Sequence, residues 1–118
     1  MKLFTKIIER KLIANFKATE EAEGADLNHK PVVKLFDPYG GATWLLSELE
    51  PDSGNAFGLC DLGMGCPELG YVNIDEIKSL SFCGRPRIER DKSWDAEGHS
   101  LSEYASKARE KGVIASYI

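Results

Sequence analysis

Five carboxylates are the residues of this chain best suited to do chemistry together: Glu48, Asp61, Glu68, Glu89 and Asp91. Glu48 and Asp61 fall on runs that read as neighbouring strands, so they approach each other if the register allows it. Paired carboxylates either hold a divalent cation or divide into a general acid and a general base. That chemistry would make the protein a metal-dependent hydrolase. Arg87 and Arg90 supply the plainer outcome, ion pairs with those same acids. Ion pairing is our first reading of the cluster and hydrolysis the alternative.

Other candidates are weaker. Cys60, Cys66, Cys83 and His99 make a chemically sound Cys3His zinc set, but no CxxC pair exists. The gaps of five, sixteen and fifteen residues match no zinc ribbon or finger. Cys66 lies in a glycine-rich loop where it could act as a nucleophile, given His29 or His99 as base, yet neither histidine sits in a recognisable signature. An unreactive loop thiol is the simpler account. The stretch GLCDLGMG lacks the order of a phosphate-binding loop and no lysine follows it. Among aromatics, Trp44 between apolar neighbours reads as core, whereas Tyr39, in a turn, and Trp94, in a polar stretch, read as surface anchors.

The elements that must position these residues are legible from periodicity and turns. Thr5 can cap a helix from Lys6 to Lys17, with Ile8, Leu12 and Phe16 forming an inward stripe that Ile7 widens. Ala18 to Lys30 is polar and acidic and reads as a connector with some helix near Glu20 to Glu23. Val32–Phe36 and Thr43–Glu50 flank Asp37-Pro38-Tyr39-Gly40-Gly41, a hairpin turn whose glycines would accept positive φ. Trp44, Leu46 and Glu48 would point one way and Leu45, Ser47 and Leu49 the other, as in a central strand covered on both sides. Ala56–Leu62 is a third strand and Leu69–Val72 a short fourth. Asn73 and Glu76 open a brief helix, and Ile88 lies in a charged segment that reads as an edge strand. Ser100 and Glu103 form a second capping box ahead of Leu101, Tyr104, Ala105 and Ala108, and Gly112 ends that helix with Val113 folding back. The predicted architecture is α+β: a small, mainly antiparallel sheet, a three- to four-stranded meander, with N-terminal and C-terminal helices packed on it, in one domain over residues 1–118.

Composition bounds the function. With 42% hydrophobic and 29% charged residues in 118, the chain matches ordinary globular proteins. No apolar run approaches the roughly 20 residues that span a bilayer, and charges at Glu9, Arg10 and Lys11 interrupt the N-terminal apolar stretch. Three cysteines cannot complete a disulfide framework. A cytoplasmic protein with reduced thiols is expected. The net charge of −4 is uneven: residues 1–17 are basic and residues 18–52 strongly acidic. It speaks against nucleic acid as a partner.

The runs VVKLFDPYGGATWLLSELEP and FGLCDLGMGCPELGYV, closed by IERD, resemble an uncharacterised bacterial family, domain of unknown function 2958. The likeness extends from the N-terminal helix through Asp91, with Lys34, Pro38, Trp44, Glu48, Glu68, Gly70, Tyr71 and Glu89 among the matching positions. The resemblance implies a small cytosolic product of the kind carried on plasmids and other mobile elements, with no established activity, cofactor or catalytic set. With no complete catalytic signature, the sequence reads as an accessory module that binds a protein partner and calls for no cofactor or metal. Its expected surface comprises Glu48, Asp61, Glu68, Tyr71, Glu89, Arg90 and Asp91, with the ELG segment at Glu68 and the IERD charges the first places to look.

Overall fold

Thr5 is extended and its hydroxyl accepts the Ile8 amide, which starts helix α1 (Lys6–Glu21). In the computed structural model, which describes residues 3–23 and 27–116, α1 runs past the expected stop at Lys17, because Ala18 to Glu21 contain good helix formers and nothing that breaks the turn. The expected connector is therefore partly helix, and its residues 24–26 lie outside the described residues. Leu12 is enclosed and Ile8 and Ile13 pack beside it, but Ile7 faces outward and does not widen the stripe.

Strands β1 (Val33–Phe36), β2 (Thr43–Leu49), β3 (Asn55–Asp61) and β4 (Glu68–Asn73) form the expected antiparallel meander. A short ribbon follows helix α2 (Ile74–Ser79): β5 (Ser81–Phe82) pairs with β6 (Arg85–Pro86) around Cys83 and Gly84. Then β7 (Glu89–Arg90) returns to the far side of β1. The sheet thus has five strands in the order β4-β3-β2-β1-β7. The meander ends at β4 on one edge, and the two-residue β7 closes the other.

The alternation along β2 holds only to Leu46. Leu46 pairs with Gly58 and Glu48 with Phe57, so Ser47 is an extra residue, a β-bulge. Glu48 therefore shares a face with Leu45 and Phe57, and Leu49 rejoins Trp44 and Leu46, the reverse of strict alternation. The bulge is held from both sides. Ser47 Oγ donates to the Phe57 carbonyl, and Asn15 of α1 donates to the Ser47 carbonyl at 2.9 Å. Gly58, opposite, has no room for a side chain: a Cβ there would stand 2.0 Å from the Leu45 carbonyl oxygen.

The sheet is covered on both faces. Trp44, Leu46, Ala56 and Leu35 pack with Leu12 of α1 and with Ile74 and Ile77 of α2. Leu45 and Leu59 pack on helix α3 (Leu101–Lys111) through Leu101, Tyr104, Ala105 and Ala108. Burying each large aliphatic side chain contributes about 1.5–3 kcal/mol, and both cores draw on the one sheet. The Ser100–Glu103 capping box starts α3, and Gly112 ends it in the left-handed region with φ 76°. It is Ile114, not Val113, that folds back onto the core; Val113 stays exposed.

Candidate functional site

Four of the five carboxylates singled out in the sequence divide between two places. Asp61, Glu89, Arg90 and Asp91 border an open cleft of about 800 Å³, together with Lys34, Asp37, Thr43 and the tail residues Val113 and Ile114. Glu48 and Tyr71 border a smaller hollow of about 270 Å³, with Glu20, Glu50, Phe16 and Phe57. Glu68 stands exposed at the start of β4 and lines neither. Glu48 pairs with Phe57 and Asp61 with Thr43, four residues apart along β3. At about 3.3 Å per residue that is roughly 13 Å, too far for one cation or one proton relay.

Within the cleft the fold already uses most of the charge. Asp61 is 3% exposed, accepting the Gly63 amide at 2.8 Å and the Ile114 amide at 3.2 Å. It closes the turn after β3 and pins the tail beyond α3. Asp91 faces Lys34 at 3.8 Å and caps its own turn by accepting from Ser93. Arg90 pairs with Leu35, and its guanidinium donates to the Leu3 carbonyl at 2.9 Å, so it ties down the N-terminal segment. Arg87 donates to Asp37 at 2.8 Å. The ion pairs run differently from the sequence expectation: Arg87 takes Asp37, which is not one of the five acids, and the partner of Asp91 is Lys34 rather than an arginine.

The Arg87 hydrogen bond is the main reason the Asp37 carboxyl is held below the usual carboxylate range; the Tyr39 amide helps, and burial acts the other way. This pair also explains the neighbouring hairpin. Gly40 and Gly41 do not adopt positive φ. A Cβ at Gly40 would stand 2.9 Å from the Asp37 carboxylate, so a larger residue there would push on the ion pair. Tyr39 stacks on Phe82 at 4.2 Å between ring centres, and Arg87 lies over the same Phe82 ring. The β1–β2 turn is thereby fastened to the β5–β6 ribbon.

The sulfur and histidine candidates do not converge. Cys60 is half-buried, and burial pushes its thiol pKa up, which disfavours the thiolate; Cys66 and Cys83 are exposed. His29 is engaged by Thr19 and His99 by Glu103. Among the described residues, no group of three or more His, Cys, Asp or Glu side chains could hold a metal ion. Trp94, expected on the surface, packs half-buried against Tyr104.

The hollow differs in character. Three carboxylates, Glu20, Glu48 and Glu50, share it with aromatic rings, and among the described residues no lysine or arginine lines it. Phe57 and Tyr71 face each other across β3 and β4 with ring centres 5.1 Å apart. Tyr71 is 77% exposed and Leu69, two residues earlier, 42%. Sequence reading identified Glu48 and Tyr71 but missed Glu20, Glu50 and Phe57. Glu48 and Glu50 bracketing the end of β2 was the available signal; Glu20 arrives only because α1 is longer than expected.

A family model described as "Protein of unknown function (DUF2958)" matches residues 3–115, and the chain belongs to that family. No curated protein and no solved structure matches it.

Proposed function

We propose that this member of the DUF2958 family is a protein-binding module rather than an enzyme, and that it binds through the β4 side of the sheet. One observation carries the reading: Leu62, Met64, Leu69 and Tyr71, four large apolar side chains along one loop and strand, are all exposed. Apolar groups presented together in this way mark contact surfaces. Of the surface expected from the sequence, Glu48, Glu68 and Tyr71 belong to this side; Asp61, Arg90 and Asp91 do structural work elsewhere. The proposal includes a cytoplasmic accessory role of the kind bacterial mobile elements carry. No observation favours the hydrolase alternative, whose two strand residues, Glu48 and Asp61, sit at backbone positions roughly 13 Å apart along the ladder on the spacing of strand residues.

The test is retention of partners from a reducing cell extract by the wild-type chain and by a Leu69→Ser/Tyr71→Ser variant. A specific protein held by the first and lost by the second is the expected result. Retention of nothing specific, or equal retention by both, ends the proposal.

A further inference from the structure

We infer that the pocket between α1, the connector before β1 and the loop after β7 is a small-molecule site, which binds a free mononucleotide with an amino group on its base. The site lies apart from β4, none of whose residues borders it, so it is a function beyond partner binding.

The pocket measures about 550 Å³, a size within the roughly 300–1,000 Å³ of small-ligand sites. Its walls are fastened by the fold. The His29 ring is held to α1 through Thr19 at 3.0 Å, and the His29 carbonyl accepts the Leu101 amide at the start of α3, also at 3.0 Å. In the loop, the Ala96 carbonyl accepts the Tyr104 hydroxyl and the Asp95 carboxylate accepts the Glu97 amide. The Trp94 ring stands against Tyr104 with ring centres 6.0 Å apart. The site is thus formed before a ligand arrives, which lowers the cost of binding one.

Three kinds of group border it. Lys11, on the side of α1 that also carries Ala14 and Asn15, and Lys30 of the connector bring two ammonium groups from separate elements. Among the described residues neither ammonium has an ion-pair or hydrogen-bond partner. The charges of the cleft are satisfied; these are not. Two point cations match a phosphate dianion, which has oxygens for both. Trp94 supplies an indole wall on which a planar base can stack. Asp95 is exposed and uses one oxygen on the Glu97 amide. The other oxygen is an acceptor, so an amino group on the base gains a partner there.

Simpler occupants use only part of the site. Inorganic phosphate or a lone carboxylate leaves the indole uncovered, and an uncharged ring leaves both ammonium groups unpaired. A nucleic-acid strand needs a continuous basic track, which the chain's net charge of −4 opposes.

The probe is adenosine 5′-monophosphate, titrated into the isotope-labelled chain beside adenosine, inorganic phosphate, inosine 5′-monophosphate and a deoxyadenosine hexamer. We expect NMR shifts centred on the Trp94 indole and the amides of Lys30, Ala96 and Gly98. Adenosine monophosphate should bind at least about tenfold more tightly than adenosine or phosphate, the scale of one charge-assisted contact or one stacked base. Lys11→Gln/Lys30→Gln, which alters two exposed side chains, should bring its affinity down to that of adenosine. Inosine monophosphate, with a carbonyl in place of the amino group, should bind more weakly, and Asp95→Asn should remove that preference. The inference is overturned by shifts elsewhere, by no binding at millimolar concentration, or by phosphate or inosine monophosphate binding as tightly as the probe. An affinity that the lysine variant leaves unchanged overturns it too. So does tighter binding of the hexamer, in favour of a strand lying along Lys6, Arg10 and Lys17 of α1.

Discussion

The two edges of the sheet treat their polar groups in opposite ways. Around β1 and β7 the cleft is rich in charge, yet Asp61 holds two backbone amides, Asp91 faces Lys34, Asp37 holds Arg87 and Arg90 holds the Leu3 carbonyl. Along β4 the side chains of Glu68, Leu69 and Tyr71 are exposed, and among the described residues no strand pairs with its outer side. Density of ionisable residues is therefore a poor guide to availability. A buried polar group must be satisfied internally, and the more charges a segment brings into the fold, the more of them the fold consumes.

The comparison can be broken by mutation. Gly58→Ala should have the largest effect, since the methyl group collides with a carbonyl oxygen that cannot swing away; a loss of about 3 kcal/mol is expected, read by chemical denaturation. This change strains β3, which both sides share, so it should weaken any β4 binding and the cleft alike. Asp61→Ala should cost about 2 kcal/mol by stranding the Gly63 and Ile114 amides, and hydrogen exchange should show the tail after Gly112 released. Tyr71→Ser should cost under about 1 kcal/mol, the value of one cross-strand pair, while removing partner retention. If Tyr71→Ser proves the more destabilising of the two, the contrast between the edges is wrong.

Acid provides a subtler probe of the cleft side. Because the folded pKa of Asp37 is depressed, its clip to Arg87 contributes fully above the ordinary carboxylate value. The contribution is lost as pH falls through the lower folded value. Tyr39 and Phe82 ring signals should shift over that window, and Arg87→Gln should remove the shift. The smallest effect belongs to Lys34→Met. That pair is partly exposed at 3.8 Å, so a change under about 0.5 kcal/mol is expected in a denaturant titration.

Much of the fold was legible because local chemistry agreed with global need. Thr5, Asn73 and Ser100 cap their helices as their types suggest, and the four meander strands lie where alternation and turns put them. What was not legible was non-local. Nothing local announces that Glu89 and Arg90 pair with β1, that Asp61 will meet the amide of Ile114, or that Ser47 is supernumerary. The acid cluster misled for the same reason: neighbouring strands suggested a shared site, while the register places Glu48 and Asp61 at different ends of one ladder.

The bulge has a consequence for editing the chain. Because Ser47 is a surplus residue, deleting it leaves Glu48 and Leu49 on the faces they now occupy, and what is lost is the bend, the anchor for Asn15 and the hydroxyl bond to the Phe57 carbonyl. Deleting a neighbour such as Leu46 instead removes a core side chain from the Gly58 position, and no simple re-pairing restores both the core and the acidic hollow. Along β2, Ser47 is thus the position where a one-residue change in length is a change of shape and not of parity.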